Sequence, residues 1–314
     1  MVPKDSPEGA RLAAEAGLRR GRDLPTPVRL ACVDLPASPL QLLVRRNPEW
    51  RDLPAAVVAE DSPQAPLLWV NAAARQAGVL PGQRYAAALS LAHELRAVTV
   101  PARVIARAGQ HLHRLLGGYS PRVEAARHEP GVFWLDARGL ERLHGSMSTW
   151  AERLQRALAA AGWVASVAVG FTRFGSYGLA RTRRGVTVIR RKPDELAALR
   201  RVPLARLQLP PRLRDDLARL GVHTVGALCD LPGTGVAARF GPEAAELHRL
   251  ARDAAFAPLQ PTPAIEPLLA EEVFEEPEAD AWRLLFAVKR RLHPLLDDLA
   301  SRLRAVRALR LDLV

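Results

Sequence analysis

The chain is short of cysteine, of long apolar runs and of acids, and each shortage closes off a class of protein. Cys32 and Cys229 are the only cysteines in 314 residues. They are far apart and have no metal-like neighbours, which excludes a disulfide framework or a zinc module and suits a reducing cytosol. No window approaches the roughly 18 unbroken apolar residues of a membrane span, and the opening Met-Val-Pro-Lys-Asp-Ser is not a secretion signal. A cytoplasmic protein without membrane contact is expected. Acids number 33 against 45 bases, a formal charge of +12 with a pI near 11.0, and nearly all the excess is arginine. Such an excess suits a phosphate-rich partner, nucleic acid above all, although an Arg- and Ala-rich composition also follows from GC-rich coding. A 48% hydrophobic and 25% charged composition is that of a globular chain, long enough for two or three domains with real cores.

Residues 1–26 read as a flexible polar extension, with one short helical possibility at Glu8 to Arg19. Val28 to Asp34 is an apolar run ending in an acid, the pattern of a buried strand that presents a carboxylate at its edge. Pro36 and Pro39 speak against a regular helix directly after it. Strands are expected at 55–59 and 67–70, and helices at 71–77, closed by Gly78, and 85–91. A long basic helix at 103–116 then leads into strands at 122–125 and 131–136, a helix at 149–161 and a strand at 164–170. Strand, helix, two antiparallel strands, helix and strand make a split βαβ arrangement, so the fold class is α+β.

After a charged joint at Arg190 to Asp194 the chain reads as short helices: 194–199, 204–207, 211–220, 225–228 and 242–253. Leu220-Gly-Val222 between two of them resembles the turn of a helix-hairpin-helix, whose amide groups hold a DNA phosphate without reading bases. Gly221, Arg214, Arg219 and His223 are the DNA-binding candidates. Six acids between Glu271 and Asp280 read as a solvated strand edge, followed by an amphipathic helix with Leu285, Val288, Leu292, Leu295, Leu299 and Leu303 on one stripe. Pro294 is expected to bend that helix. Leu309 to Leu313 alternates like a terminal strand. Gln208-Leu-Pro-Pro and the glycines of Gly170 to Gly175 are too short and too common to mark a clamp-binding peptide or a nucleotide loop.

Several pieces recur in one order: Cys-Val-Asp34, Asn47-Pro-Glu, Ala74-Arg-Gln-Ala-Gly-Val79, Ser120-Pro-Arg-Val-Glu124, Trp134-Leu-Asp-Ala-Arg-Gly139 and Leu220-Gly-Val-His-Thr-Val-Gly226. Together they resemble the Y-family translesion DNA polymerases, most of all the ImuB-type branch. The resemblance implies a right-hand architecture: palm at 27–37 and 97–192, small α/β fingers at 38–96, helical thumb at 193–260, and a partial little finger at 261–314 that stops halfway. Active members hold two Mg²⁺ with three carboxylates, since hard cations take oxygen ligands in strict geometry. Asp34 falls on the first of these, while the adjacent acid pair falls on Gly131 and Val132, which cannot bind metal. Arg75 matches a phosphate contact, but its tyrosine partner is Ala72.

These departures make Asp34, Gly131, Val132, Ala72 and Arg75 vestigial positions. They imply a chain that is not an enzyme, has no metal or cofactor, and serves as a scaffold in damage-induced mutagenic synthesis. The implied partners are a RecA-like accessory protein of the ImuA type, a C-family error-prone polymerase, the sliding clamp and DNA without sequence specificity. Two alternatives stay open, a plain DNA-binding module and an active polymerase using Asp34 with Glu129 or Asp136. Glu129 lies two residues before Gly131, and a local shift would bring it near Asp34. Asp136 and Arg138 read as a structural pair.

Overall fold

Leu30–Asp34 forms strand β1, buried along its whole length, and the first part of the molecule is arranged around it. The structure is a computed structural model that describes residues 28–252, 258–261, 270, 272–274, 278–301, 305–306, 308–309 and 311. The expected extension at 1–26 and most of the terminal strand at 309–313 lie outside them. The chain divides into two units, 1–264 and 265–314.

In the first unit β1 is central to a five-stranded sheet with β5 (Val123–Ala125), β6 (Val132–Asp136), β7 (Ser166–Gly170) and β8 (Val186–Val188), in the order β5-β6-β1-β7-β8. The β1–β6, β1–β7 and β5–β6 pairs are antiparallel and β7–β8 is parallel. The expected split βαβ arrangement is present, with β8 as an added edge. Successive β1 side chains alternate between faces, and both faces are covered. Ala31 and Val33 join a core that includes Leu112 and Leu116 of one helix and Trp150, Leu154 and Leu158 of another. Cys32 packs instead with Trp134, Phe174 and Tyr177 and with the helices downstream.

Between β1 and the rest of this sheet lie α1 (Ser38–Arg46), a three-stranded sheet, α2 (Ala72–Gln76) and α3 (Tyr85–Leu91). Helix α1 is the first departure from expectation. Pro39 sits in its first turn, where a missing N–H costs nothing, and Ala37 enters it through a left-handed φ of 50°. The small sheet runs β3 (Leu67–Val70), β2 (Ala55–Val58), β4 (Arg96–Val98). Asn71 ties it to α2: its side-chain oxygen accepts from the amides of Ala74 and Ala55, at 2.9 and 3.0 Å. The short, polar-flanked β4 gave too little alternation to be read from sequence.

Helices α4 (Ala102–Gly117), α5 (Leu140–His144) and α6 (Met147–Ala160) cover one face of the large sheet, and α7 (Arg173–Thr182) the other. In α6 the buried Met147, Trp150, Ala151, Leu154 and Leu158 recur at helical spacing, and Ser146 caps its start by accepting from the Thr149 amide. Helix α7 was not anticipated. Its glycine-rich approach has a packing reason, because a Cβ at Gly170 or Gly175 would overlap the carboxylate of buried Glu195. That carboxylate accepts from the amides of Phe171 and Thr172, at 3.0 and 3.3 Å.

Then follow α8 (Lys192–Leu199), a short 3-10 turn at Leu204–Arg206, α9 (Pro211–Arg219), α10 (Val225–Cys229) and α11 (Gly233–Ala251), which is kinked at Gly241. In the second unit α12 (Ala281–Ser301) runs through Pro294 as one element. Val288, Leu292, Leu295 and Leu299 of the expected stripe are half-buried and Leu285 is exposed. Glu272 and Glu278, read from sequence as part of a solvated edge, hold arginines of this helix: Arg290 and Arg291, and Arg283. No helix among the described residues is long and apolar enough to cross a membrane.

Candidate functional site

The turn before β6 decides what the site contains. Glu129-Pro-Gly-Val132 is closed by the Val132 amide donating to the Glu129 carbonyl at 3.1 Å, with proline second and glycine third at φ 94°. That is the residue pattern of a type II turn. Gly131 has no substitute in this conformation: a Cβ there would stand 2.7 Å from Ser38 Cβ and 2.8 Å from the Leu35 carbonyl oxygen. The turn is pinned on both sides, by Ser38 Oγ donating to the Pro130 carbonyl at 2.8 Å and by the Leu35 amide donating to the Gly131 carbonyl at 2.9 Å. Chain reversal lifts Glu129 out of the strand and aims it across the sheet.

There it meets Asp34. Asp34 ends β1 opposite Val132 and is 3% exposed. Arg181, on α7, places Nη1 at 3.2 Å from Asp34 Oδ1 and 3.6 Å from Glu129 Oε2. One turn earlier on the same helix, Tyr177 donates its hydroxyl hydrogen to the Glu129 carboxylate at 2.8 Å, and its oxygen accepts from the Gln208 amide at 3.1 Å. Arg181 Nε donates to the Arg206 carbonyl at 2.9 Å. Two carboxylates thus converge on one guanidinium, and the 206–208 loop holds both α7 residues. Burial raises the Asp34 carboxyl above the usual aspartate value despite the opposing Arg181 charge. Burial likewise pushes the Cys32 thiol and the Tyr177 phenol well up. For Arg181 burial acts downward, but the Asp34 and Glu129 charges outweigh it and the guanidinium is held more firmly protonated.

Of the positions singled out in sequence, Asp34, Glu129, Gly131 and Val132 come together here. Ala72 and Arg75 are exposed on α2, in the small-sheet region. Asp136 lies at the other end of β6, where Arg138 Nη2 reaches it at 2.5 Å and Arg122 Nη1 at 3.4 Å. Arg181 and Tyr177 were missed; an arginine one turn after a tyrosine is no signal without knowing which helix faces Asp34.

Gly221 takes φ 74° between α9 and α10, the geometry read from Leu220-Gly-Val222. Arg214, Arg219, Gly221 and His223 are exposed, with Arg214 paired to Asp215 and Arg219 to Asp216. The amides at the start of α10 differ from expectation. Val225 and Gly226 donate to the carbonyls of Val202 and Arg200, and Ala227 donates to Thr224 Oγ1. They knit the helical region together rather than standing open to a phosphate.

Residues 33–176 match the model of the impB/mucB/samB family. Over this stretch the chain is similar to that family, and its fold is that of Y-family polymerase structures. It is 34% identical over 158 residues to DNA polymerase IV of Moorella thermoacetica, a match covering 47% of this chain and 37% of that protein. It is 31% identical over 164 residues to protein ImuB of Caulobacter vibrioides, covering 52% and 35%. The matched stretch is thus little more than a third of the length of these curated relatives. Among solved structures, DinB from Sulfolobus solfataricus superposes with a TM-score of 0.61 at 19% identity, over 74% of this chain and 69% of that one. An insertion ternary complex of Dbh DNA polymerase gives 0.59 at 18%, with the same coverage. These establish the right-hand α+β fold.

The expectation that the chain is not an enzyme does not stand. It rested on missing acids at Gly131 and Val132, whereas the 34%-identical relative bears the name DNA polymerase IV. The fold supplies a second carboxylate from Glu129, outside the aligned pair. The family's chemistry uses divalent cations, and hard cations take oxygen donors. Asp34 and Glu129 are such donors, and no cluster of three His, Cys, Asp or Glu ligands occurs among the described residues. These are two donors where such an ion prefers several oxygen ligands, and the Arg181 guanidinium lies between them.

Proposed function

We propose that this chain is a cytoplasmic translesion-synthesis protein that works at damaged primer-template DNA as an adaptor within a mutagenic assembly. The similarity to ImuB of Caulobacter vibrioides carries this reading, together with the fold and the +12 charge. In it, residues 27–37 and 97–192 serve as palm, 38–96 as fingers and 193–260 as thumb. The assembly joins a RecA-like accessory protein, a C-family error-prone polymerase and the sliding clamp. The exposed corner of Arg214, Arg219, Gly221 and His223 touches the DNA backbone by charge, since its helix-start amides are already engaged. The test is co-purification of the accessory protein and clamp with the chain from its host, beside DNA binding at rising salt. Retention of these proteins after nuclease treatment supports the adaptor role. Binding to DNA alone, falling steeply with salt, reduces the chain to a DNA-binding module.

A second reading has its own support in the meeting of Asp34 and Glu129 at one guanidinium. In it the chain extends primers itself, with these two carboxylates as the acidic groups of the site. Primer extension with Mg²⁺ or Mn²⁺ decides it. Template-directed extension lost in Asp34→Ala and Glu129→Gln supports this reading, and no extension by the wild type overturns it.

A further inference from the structure

On the face of the large sheet turned away from Asp34 and Arg181, a cleft runs between α1 and α4. Its volume is about 500 Å³ and its floor is apolar: Leu42 of α1, Leu112 and Leu115 of α4, and Trp163 just after α6. Arg45, Arg46 and His111 stand at its edge, while Arg107 and Arg114 flank the lining stripe of α4, one residue before Ala108 and Leu115. Neither helix contains an acid. Among the described residues no arginine of α1 or α4 holds a carboxylate, whereas Arg200, Arg214 and Arg219 further along the chain each do. Burial, and then the charges of Arg114 and Arg107, hold the His111 ring below its usual value, and its neutral Nδ1 accepts from Arg114 Nη2 at 2.9 Å. The cleft thus joins an apolar floor to an uncompensated positive rim.

Floor and rim together select the ligand. A phosphate backbone asks for charge and has no use for an apolar floor. Bases would need a bare aromatic face, but Trp163 is 7% exposed and Arg45 lies over its ring at 4.4 Å. A protein segment that carries carboxylates beside apolar side chains satisfies both parts at once. A second copy of this chain is a poor match, because at +12 its own charge has the sign of the rim.

We infer that the α1–α4 cleft docks an acidic segment of another protein, with its carboxylates on Arg45, Arg46, Arg107 and Arg114 and its apolar side chains on the leucine floor. This gives the adaptor reading a surface it does not name, and rests on that reading only for there being a protein partner. The probes are synthetic peptides measured without DNA, so failed peptide binding and failed co-purification are separate results. Fluorescence anisotropy follows a labelled peptide of about 15 residues with glutamates on one helical face and leucines on the other. Beside it are tested the same peptide with serine for leucine and a single-stranded DNA of equal charge. The proteins are wild type, Arg46→Glu with Arg107→Glu in the cleft, and Arg212→Glu with Arg239→Glu as an equal charge change elsewhere. All four arginines are exposed, and thermal melting checks that both variants fold. The leucine peptide is expected to bind wild type and the distant variant alike, and the cleft variant at least about tenfold more weakly. The serine peptide should bind wild type at least about tenfold more weakly than the leucine peptide. Ala108→Gln, which puts a polar group on the floor without changing charge, should weaken the leucine peptide and leave the serine peptide as it was. No binding of the leucine peptide to wild type, equal binding by the two double variants, or equal binding of the two peptides overturns the inference. Single-stranded DNA that displaces the leucine peptide and is itself lost in the cleft variant makes the cleft a nucleic-acid surface. Self-association lost in that variant makes it an interface between copies, and either result overturns the inference as well.

Discussion

The two ends of β6 both gather carboxylate and arginine, and they are built in opposite ways. At the Asp136 end the cations come from nearby: Arg138 two residues on, and Arg122 just before β5, with 41% and 46% of their side chains exposed. At the other end Asp34, Glu129 and Arg181 come from three elements, with Asp34 and its partner 147 positions apart in the chain. Burial raises both carboxyls, but at Asp136 the hydrogen bonds and charges of Arg138 and Arg122 outweigh it and the carboxyl ends up below its usual value. At Asp34 burial wins and the carboxyl ends up above. The same pair of chemical groups is a surface clamp in one place and a costly buried cluster in the other; what differs is how much water each has lost.

The largest effect should follow removal of the buried cation. Arg181→Met leaves Asp34 and Glu129 facing each other and is expected to cost about 3 kcal/mol, the lower range for breaking one side of a buried ion pair, measured by urea denaturation without divalent ions. A loss under about 1 kcal/mol would place this cluster with the surface clamp and erase the contrast. Gly131→Ala comes next, at about 3 kcal/mol or somewhat less, from the left-handed backbone and the overlap with Ser38 and Leu35. Ser38→Gly in the same chain should return only the Ser38 part of the overlap, while the clash with the Leu35 carbonyl and the backbone share remain, so a complete rescue would show that neither of these is limiting.

The pH dependence should separate the ends by sign. Asp136 binds its proton less tightly folded than unfolded, so its contribution is present above the usual aspartate range and is lost as pH falls through it. Asp34 is the reverse: the folded state holds its proton more tightly, so stability drains away as pH rises from the usual value through the raised one. Stability measured against pH should lose its acid-side fall in part in Asp136→Asn, and its decline on the rising side in Asp34→Asn. Parallel changes in the two variants would mean that Arg181 dominates Asp34 as Arg138 dominates Asp136.

This contrast also explains how far the sequence could be read. The Asp136–Arg138 pair was legible because both partners sit within one turn of chain, and β1, β3 and α3 were legible because their apolar pattern and flanking breakers are local. Gly131 and Val132 were found at the strand start by their order among family motifs. Helix α7 was not, since Gly170, Gly175 and Gly178 weaken any helical signal; the first two leave room for Glu195 and the third for Leu199. Without α7 there was no Arg181, and the approach of Glu129 to Asp34, open from sequence only as a local shift, needed the turn through Pro130 and Gly131 to be brought about. A strand read as regular places Glu129 roughly 7 Å further along the same face. The observed turn points it at Tyr177 instead. Helix α1 is hidden for a different reason: proline breaks a helix in its interior but is compatible with the first turn, where Pro39 sits.

The smallest effect tests the exposed end. Arg138→Ala removes three of the hydrogen bonds reaching Asp136, yet leaves the Arg138 amide donating to Oδ1 at 3.1 Å and Arg122 within 3.4 Å of Oδ2. Its charge is largely solvated, so the loss should be about 0.5 kcal/mol and shrink further as salt is raised. A loss approaching that of Arg181→Met, and insensitive to salt, would mean that Asp136 depends on its arginine as a buried acid does. Exposure would then no longer be what sets the two ends of the strand apart.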